Sequence, residues 1–286
     1  MYEAFFGLRE LPFNLTPDPR FLWPSETHQE GLATLYYGIT RRKGFVLLTG
    51  EVGAGKTTLL RATLERLARD IEVALVLNTA DLCGLDLLKL ISAEFRLEGN
   101  FRTKADYIIA LNYFLLERLR GGLNTVVIID EAQNLAPAAL EEVRLLSNLE
   151  TEREKLLQIV LTGQPELLRK LSDPSLRQLR QRIALEHHVI ALRPQEVLAY
   201  LEHRVETAGG HYPEVFAPGV EQVFFDFSRG CPRLVNLLGD RVLLSAFAKQ
   251  IRPIPPVLVE HKAKEIVESR LVPHSLERVS AVLGNS

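Results

Sequence analysis

The chain has 286 residues, of which 47% are apolar and 24% charged, and its formal net charge is −2. This composition is ordinary for a globular protein of one large domain, or of a large and a small one. The small net charge supplies no whole-protein field for binding DNA or an anionic membrane, although a local basic patch remains compatible with it. Cys83 and Cys231 lack metal-ligand spacing, so we expect reduced thiols.

No targeting or membrane signal is visible. The N-terminus lacks the basic region of a signal peptide, and no stretch approaches the roughly 18 apolar residues that span a bilayer. We therefore expect a cytoplasmic protein without a transmembrane segment.

The chain begins with prolines and aromatic residues that follow no period. This pattern predicts an ordered extended segment over residues 1–26. A helix is predicted next, from Thr27 to about Arg42, because apolar residues recur there at helical spacing.

Short apolar strands then alternate with longer helical patterns. The predicted strands are 45–49, 73–78, 125–130, 157–162 and 188–192. The predicted helices lie near 56–69, 84–95, 104–120 and 137–151, with a helical pair over 165–182. Such alternation predicts an α/β fold with a parallel five-stranded sheet sandwiched by helices.

After residue 192 only helical periodicity remains. The predicted helices are 195–208, 219–229, 233–249 and 256–270, which indicates a second, smaller all-helical domain. The predicted division is therefore an N-terminal segment 1–26, an α/β domain 27–192, a helical domain 193–271 and a flexible tail 272–286.

The residues from Gly50 to Thr57, GEVGAGKT, fit the phosphate-loop pattern G-x-x-x-x-G-K-[ST] between a predicted strand and a predicted helix. Glycines let backbone N–H groups close around a phosphate, at the positive end of the helix dipole. Lys56 is predicted to reach the β- and γ-phosphates, and Thr57 to coordinate Mg²⁺. An ordinary glycine-rich turn with a surface lysine is the alternative. The predicted nucleotide contacts are Glu51, Val52, Gly53, Ala54, Gly55, Lys56, Thr57 and Thr58.

Two adjacent acids follow the apolar run in NTVVIIDEAQN, residues 124–134. In a P-loop sheet Mg²⁺ needs a carboxylate from a second strand, and Asp130 ends such a strand. Glu131, one residue farther on, is placed to polarise the water that attacks the γ-phosphate. The alternative is that both acids merely cap the following helix.

Other positions are weaker signals. Gln164 follows a buried strand and is predicted to lie beside the γ-phosphate, although turn chemistry with a cap at Thr162 is the plainer interpretation. The arginines at 177, 180 and 182 usually mean a solvated basic face. His187 and His188 receive no role, and GCPR, residues 230–233, is typical of an ordinary helix start.

Together these motifs resemble an AAA+ ATPase. GEVGAGKT resembles its Walker A motif and VVIIDEAQ its Walker B motif. Gln164 resembles the sensor-1 position, LRQRI with Arg182 the arginine-finger segment, and GCPRLVN with Arg233 the sensor-2 position in a helical lid. The opening FFGLRELPFNLTPDPRFLWPS and the later VLTGQPEL are similar to the ExeA, or general secretion pathway protein A, family, whose relatives include MSHA-pilus, exosortase-associated and TnsC/TniB-type transposition ATPases.

The resemblance implies ATP and Mg²⁺ as ligands and a homo-oligomer, either a ring or a filament. The implied function is an ATPase that hydrolyses ATP at subunit interfaces to assemble or energise an envelope secretion or polysaccharide-export machine. The implied location is cytoplasmic, at the inner membrane only through a partner. Adenine is expected around Leu15 to Asp18 and under the lid.

Two rival functions remain. A DNA-bound ATP switch of the TnsC/TniB type is disfavoured by the slightly acidic composition, and a P-loop kinase or nucleotide-binding scaffold by Arg182, Arg233 and the helical lid. Longer family members continue into a transmembrane helix and a peptidoglycan-binding domain. This sequence contains neither, so we do not expect direct contact with the cell wall.

Overall fold

The computed structural model describes residues 1–67, 70–77, 79, 82–152 and 154–269. The chain divides into two compact units. The sheet unit contains Glu26–Val52 and Lys56–Ile190, and the helical unit contains Met1–Ser25, Gly53–Gly55 and the chain from Ala191 onward. The predicted tail, residues 272–286, lies outside the described residues, as do the ends of the predicted elements at 68–69, 78 and 270. The division into functional domains stays a prediction.

A parallel sheet forms the centre of the sheet unit. Within the described residues its strands are β1 (Phe45–Gly50), β2 (Ile71–Val76), β3 (Asn124–Ile129), β4 (Gln158–Gly163) and β5 (Ile183–Val189). Their order is β2-β3-β4-β1-β5, and all neighbours are parallel. Every residue of β1, β3 and β4 is buried, as continuous apolar runs predict for strands covered on both faces. The predicted α/β class is confirmed.

The strand predicted at 188–192 is misplaced. The observed β5 begins five residues earlier, at Ile183, and ends at Val189. Its burial alternates along the strand because β5 lies at the edge of the sheet and only one of its faces is covered. Glu186, His187 and His188 interrupt the continuous apolar run by which a sequence indicates a buried strand.

In chain order, the α-helices among the described residues are α1 (Glu3–Phe6), α2 (Glu26–Thr40), α3 (Lys56–Arg66), α4 (Gly84–Glu94), α5 (Lys104–Arg120), α6 (Pro137–Leu146), α7 (Pro165–Leu171), α8 (Arg177–Arg180), α9 (Pro194–Thr207), α10 (Tyr212–Val215), α11 (Val220–Ser228), α12 (Pro232–Lys249) and α13 (Pro256–Glu268). Thr103 starts α5 with a capping box, and prolines open α6 and α7 in the first turn, where no N–H is needed. No helix of the described residues is long and apolar enough to cross a membrane.

The two units have separate apolar cores. In the sheet unit, buried residues such as Leu47, Val127 and Ile159 pack with apolar side chains of α4 to α8. In the helical unit, the core of α9 to α13 also takes in Phe6, Phe13 and others from the N-terminal segment. That segment is ordered, but α1 and a 3₁₀ helix at Pro19–Phe21 interrupt the extended conformation that the sequence predicts.

Candidate nucleotide-binding site

The predicted phosphate loop connects β1 to α3. Gly53 and Gly55 have φ angles of 80° and 97°, a region that residues with a Cβ rarely adopt. The Lys56 side chain is buried, and its Nζ donates hydrogen bonds to the carbonyl oxygens of Gly50, at 2.8 Å, and Glu51, at 3.0 Å. These bonds satisfy the buried ammonium group and keep its charge inside the loop.

The other predicted loop contacts differ in exposure. Glu51 and Val52 are exposed, Ala54 is buried, and Thr57 and Thr58 are half-buried at the start of α3. A glycine-rich loop that leads into a helix N-terminus, with a buried lysine in the first turn, is the arrangement that phosphate binding requires.

Asp130 lies directly after β3, and its carboxylate is buried. The Thr57 hydroxyl donates to its Oδ2 at 3.2 Å, and the Glu131 N–H donates to its Oδ1 at 2.9 Å. The Thr162 hydroxyl, at the end of β4, also donates to Oδ1. Asp130 therefore connects α3 with the ends of β3 and β4. The sequence does not predict that Thr162 is a partner of Asp130.

Helix capping does not account for the two acids. Helix α6 begins only at Pro137, with Ala136 as its N-cap, and Glu131 makes no capping bond to the 3₁₀ helix Ala132–Asn134. Glu131 instead has a left-handed backbone, with φ of 52°, which costs free energy in a residue that has a Cβ. The Thr79 hydroxyl donates to the Glu131 carbonyl oxygen at 2.8 Å and so supports this conformation.

The structure brings Glu131 and Gln164 together. Gln164 follows β4 and precedes α7, and its Nε2 donates to Glu131 Oε2 at 3.1 Å. Gln133, which sequence reasoning missed, donates from its Nε2 to the same carboxylate oxygen at 2.5 Å. Its Oε1 accepts the backbone N–H of Gln164 at 3.0 Å. Asp130 and Glu131 follow β3 and Gln164 follows β4, so these side chains meet at the carboxyl edge of the sheet.

Arg182 lies away from this cluster. It precedes β5, and its Nη1 donates to the Ser147 hydroxyl, at the end of α6, at 2.5 Å. Ile183 pairs with Phe45 at the start of β1, whereas Val189 pairs with Gly50 at the loop. Five strand steps of about 3.3 Å place Arg182 roughly 17 Å from its own phosphate loop. Arg180, two residues before Arg182 and a weaker match to the arginine-finger segment, is exposed on α8.

Arg233 belongs to the helical unit. It lies in the first turn of α12 with an exposed side chain, and its backbone N–H donates to the Gly53 carbonyl oxygen at 3.3 Å. The segment from Leu15 to Asp18, where adenine is expected, lies in the same unit, and Leu15 is exposed. The roles of Arg233 and of this segment stay predictions.

The residues present fit Mg²⁺ and a nucleoside triphosphate. The hydroxyl of Thr57 and the carboxylate of Asp130 are hard oxygen donors that lie within hydrogen-bond distance of each other. Two protein donors leave the remaining coordination positions of a Mg²⁺ ion to phosphate oxygens and water, which is how this ion is usually bound.

Residues 39–171, which include the loop and both acids, match the family model of the AAA domain. The chain carries an AAA domain. It is 47% identical to General secretion pathway protein A of Aeromonas hydrophila over 253 residues, which are 87% of this chain. The predicted resemblance to that family is confirmed. The chain spans only 45% of the length of this relative.

Solved structures share the fold. The ORC2 protein of Aeropyrum pernix, in ADPNP and ADP complexes, superposes with a TM-score of 0.68 at 18% identity, covering 92% of this chain and 74% of that one. Cdc6p of Pyrobaculum aerophilum gives a TM-score of 0.67 at 19% identity, with 87% and 71% covered. At this identity the likeness extends to the fold alone.

Proposed function

We propose that the chain is a Mg²⁺-dependent ATPase whose sites are completed between copies of itself and whose cycle drives an envelope secretion or export machine. The observation that carries the proposal is the convergence of three groups at the carboxyl edge of neighbouring strands. Lys56 lies in the loop after β1, Asp130 with Glu131 follows β3, and Gln164 follows β4.

Each group has a separate task in phosphoryl transfer. The loop N–H groups and Lys56 bind the phosphates and neutralise their charge. Thr57 and Asp130 would hold Mg²⁺, which draws electron density from the phosphate oxygens when it is bound. Glu131 accepts a proton from the attacking water, and Gln164 orients that water against the γ-phosphate.

The arginine needed for charge stabilisation comes from a neighbouring copy. Arg182 lies at the opposite end of β5 from its own loop, at a distance that an arginine side chain cannot span. Its place beside α6 and at the edge of the sheet supports a contact in trans. A ring or a filament of copies satisfies this requirement, whereas a monomer does not.

The proposed pathway is supported by one relative. Identity of 47% over most of this chain to General secretion pathway protein A supports a partner in bacterial secretion or export, reached from the cytoplasm. The formal net charge of −2 gives no comparable support to the DNA-bound switch.

Nucleotide binding tests the first step of the proposal. Lys56→Ala removes the charge that the phosphates require, so fluorescent ATP analogues should lose most of their affinity. The matched control is Lys264→Ala, which removes an exposed lysine of α13 with the same change in net charge. Unchanged affinity in Lys56→Ala would show that the loop is only a turn.

A further inference from the structure

We propose that Gln133 is a positioning residue that sets the Glu131 carboxylate for catalysis and couples it to Gln164. The inference rests on the proposed function, since it takes Glu131 as the base that activates water. It adds a residue to which neither the sequence motifs nor the family resemblance gave a role.

Hydrogen bonds join Gln133, Glu131 and Gln164 in a closed ring. Gln133 uses both ends of its amide: Nε2 donates to Glu131 Oε2 at 2.5 Å, and Oε1 accepts the backbone N–H of Gln164 at 3.0 Å. Gln164 closes the ring through its own Nε2, which donates to the same Oε2 at 3.1 Å. A movement of Gln164 at the γ-phosphate therefore reaches Glu131 by two routes, one direct and one through Gln133.

The Gln133 amide also restricts the orientation of the Glu131 carboxylate, which the backbone conformation alone does not determine. The left-handed conformation of Glu131 is supported by the Thr79 hydroxyl, which fixes where the side chain starts. The carboxylate at its far end is directed by the two amides. Hydrogen bonds to a charged group are among the stronger ones in proteins, so they select one orientation of a flexible side chain.

Gln133 is itself held in place. The Lys170 ammonium group donates to the carbonyl oxygens of Gln133, at 2.5 Å, and Leu135, at 2.7 Å. At the end of β4, a Cβ on Gly163 would lie 2.7 Å from Gln133 Oε1, so glycine leaves the space that this amide occupies. Lys170 thus holds the backbone at Gln133, while the hydrogen bonds of its side-chain amide go to Glu131 and Gln164.

The test is Gln133→Met, which keeps the length of the side chain and removes both hydrogen bonds. Loss of one positioning bond to the charged base should lower kcat about tenfold. The dissociation constant for ATP and the midpoint of urea unfolding should stay at wild-type values, because Lys56, Thr57 and the core are unchanged. Asn134→Ala, an exposed neighbour in the same 3₁₀ helix, should leave kcat unchanged.

A double-mutant cycle separates positioning from a general loss of structure. If Gln133 acts through the Glu131 carboxylate, Gln133→Met should slow single-turnover hydrolysis much less in a Glu131→Gln background than in the wild type. Three results would overturn the inference and leave the ATPase proposal intact: a wild-type kcat in Gln133→Met, additive effects in the cycle, or a fall in kcat that parallels a fall in the urea midpoint. Absence of ATP hydrolysis by the wild-type chain would overturn both.

Discussion

Arg182 gives the sharpest test of catalysis between copies. The structure places it roughly 17 Å from its own phosphate loop by the strand rise, at the other end of β5. Arg182→Ala should therefore bind ATP as well as the wild type does, because no contact to its own loop is lost. Hydrolysis should fall on the order of 10³-fold, the usual effect of an arginine finger supplied in trans.

Mixing two inactive variants makes the prediction quantitative. Glu131→Gln retains the arginine but lacks the base, and Arg182→Ala retains the base but lacks the arginine. In an equal mixture that assembles at random, about a quarter of the interfaces pair an intact Glu131 with an intact Arg182. Steady-state ATPase activity should therefore recover to about a quarter of the wild-type rate.

The assay is phosphate release measured across mixing ratios at constant total protein, with co-assembly followed by size-exclusion chromatography. Activity should peak at the equal mixture and fall toward either pure variant. Mixing Arg182→Ala with Lys56→Ala is a second complementing pair, since the latter also keeps its arginine. Mixtures that co-assemble and remain inactive at every ratio would refute catalysis in trans by Arg182.

Two further predictions concern the helical unit. Arg204 is buried against Phe21 and donates hydrogen bonds to the carbonyl oxygens of Pro12 and Asn14. Because Arg204→Met removes these bonds, it should lower the free energy of unfolding, measured by urea titration, by about 3 kcal/mol. An unchanged free energy would contradict the view that Arg204 anchors the N-terminal segment. Burial, and secondly the nearby charge of Arg204, lower the pKa of His203 in the folded state. The stability that depends on neutral His203 should therefore be fully present above the unfolded pKa of about 6.5 and be lost as the pH falls below it. His203→Gln should flatten that loss between about pH 7.5 and 5.5, and an unchanged pH dependence would contradict it.

The features that the sequence predicts well are local. The phosphate loop is one contiguous motif between a strand and a helix, and the structure places Lys56 and Thr57 as that context requires. Strands β1, β3 and β4 are continuous apolar runs because both faces are buried, so their positions are visible without tertiary information.

What the sequence did not predict depends on tertiary position. Strand β5 alternates because it lies at the sheet edge, and nothing local shows which strand becomes an edge. Of the partners of the site acids, Thr79 follows β2 and Thr162 lies in β4, so only the sheet brings them to Asp130 and Glu131. Gln133, two positions after Glu131, is a local signal that the sequence does offer.

The central claim is that this site hydrolyses ATP with Glu131 as the base. The direct measurement is a single-turnover experiment, in which bound nucleotide is extracted and separated by chromatography after ATP and Mg²⁺ are mixed with excess protein. The wild type should convert ATP to ADP, and Glu131→Gln should bind ATP with wild-type affinity but convert it at least about 100-fold more slowly. Conversion by Glu131→Gln at the wild-type rate would contradict the account.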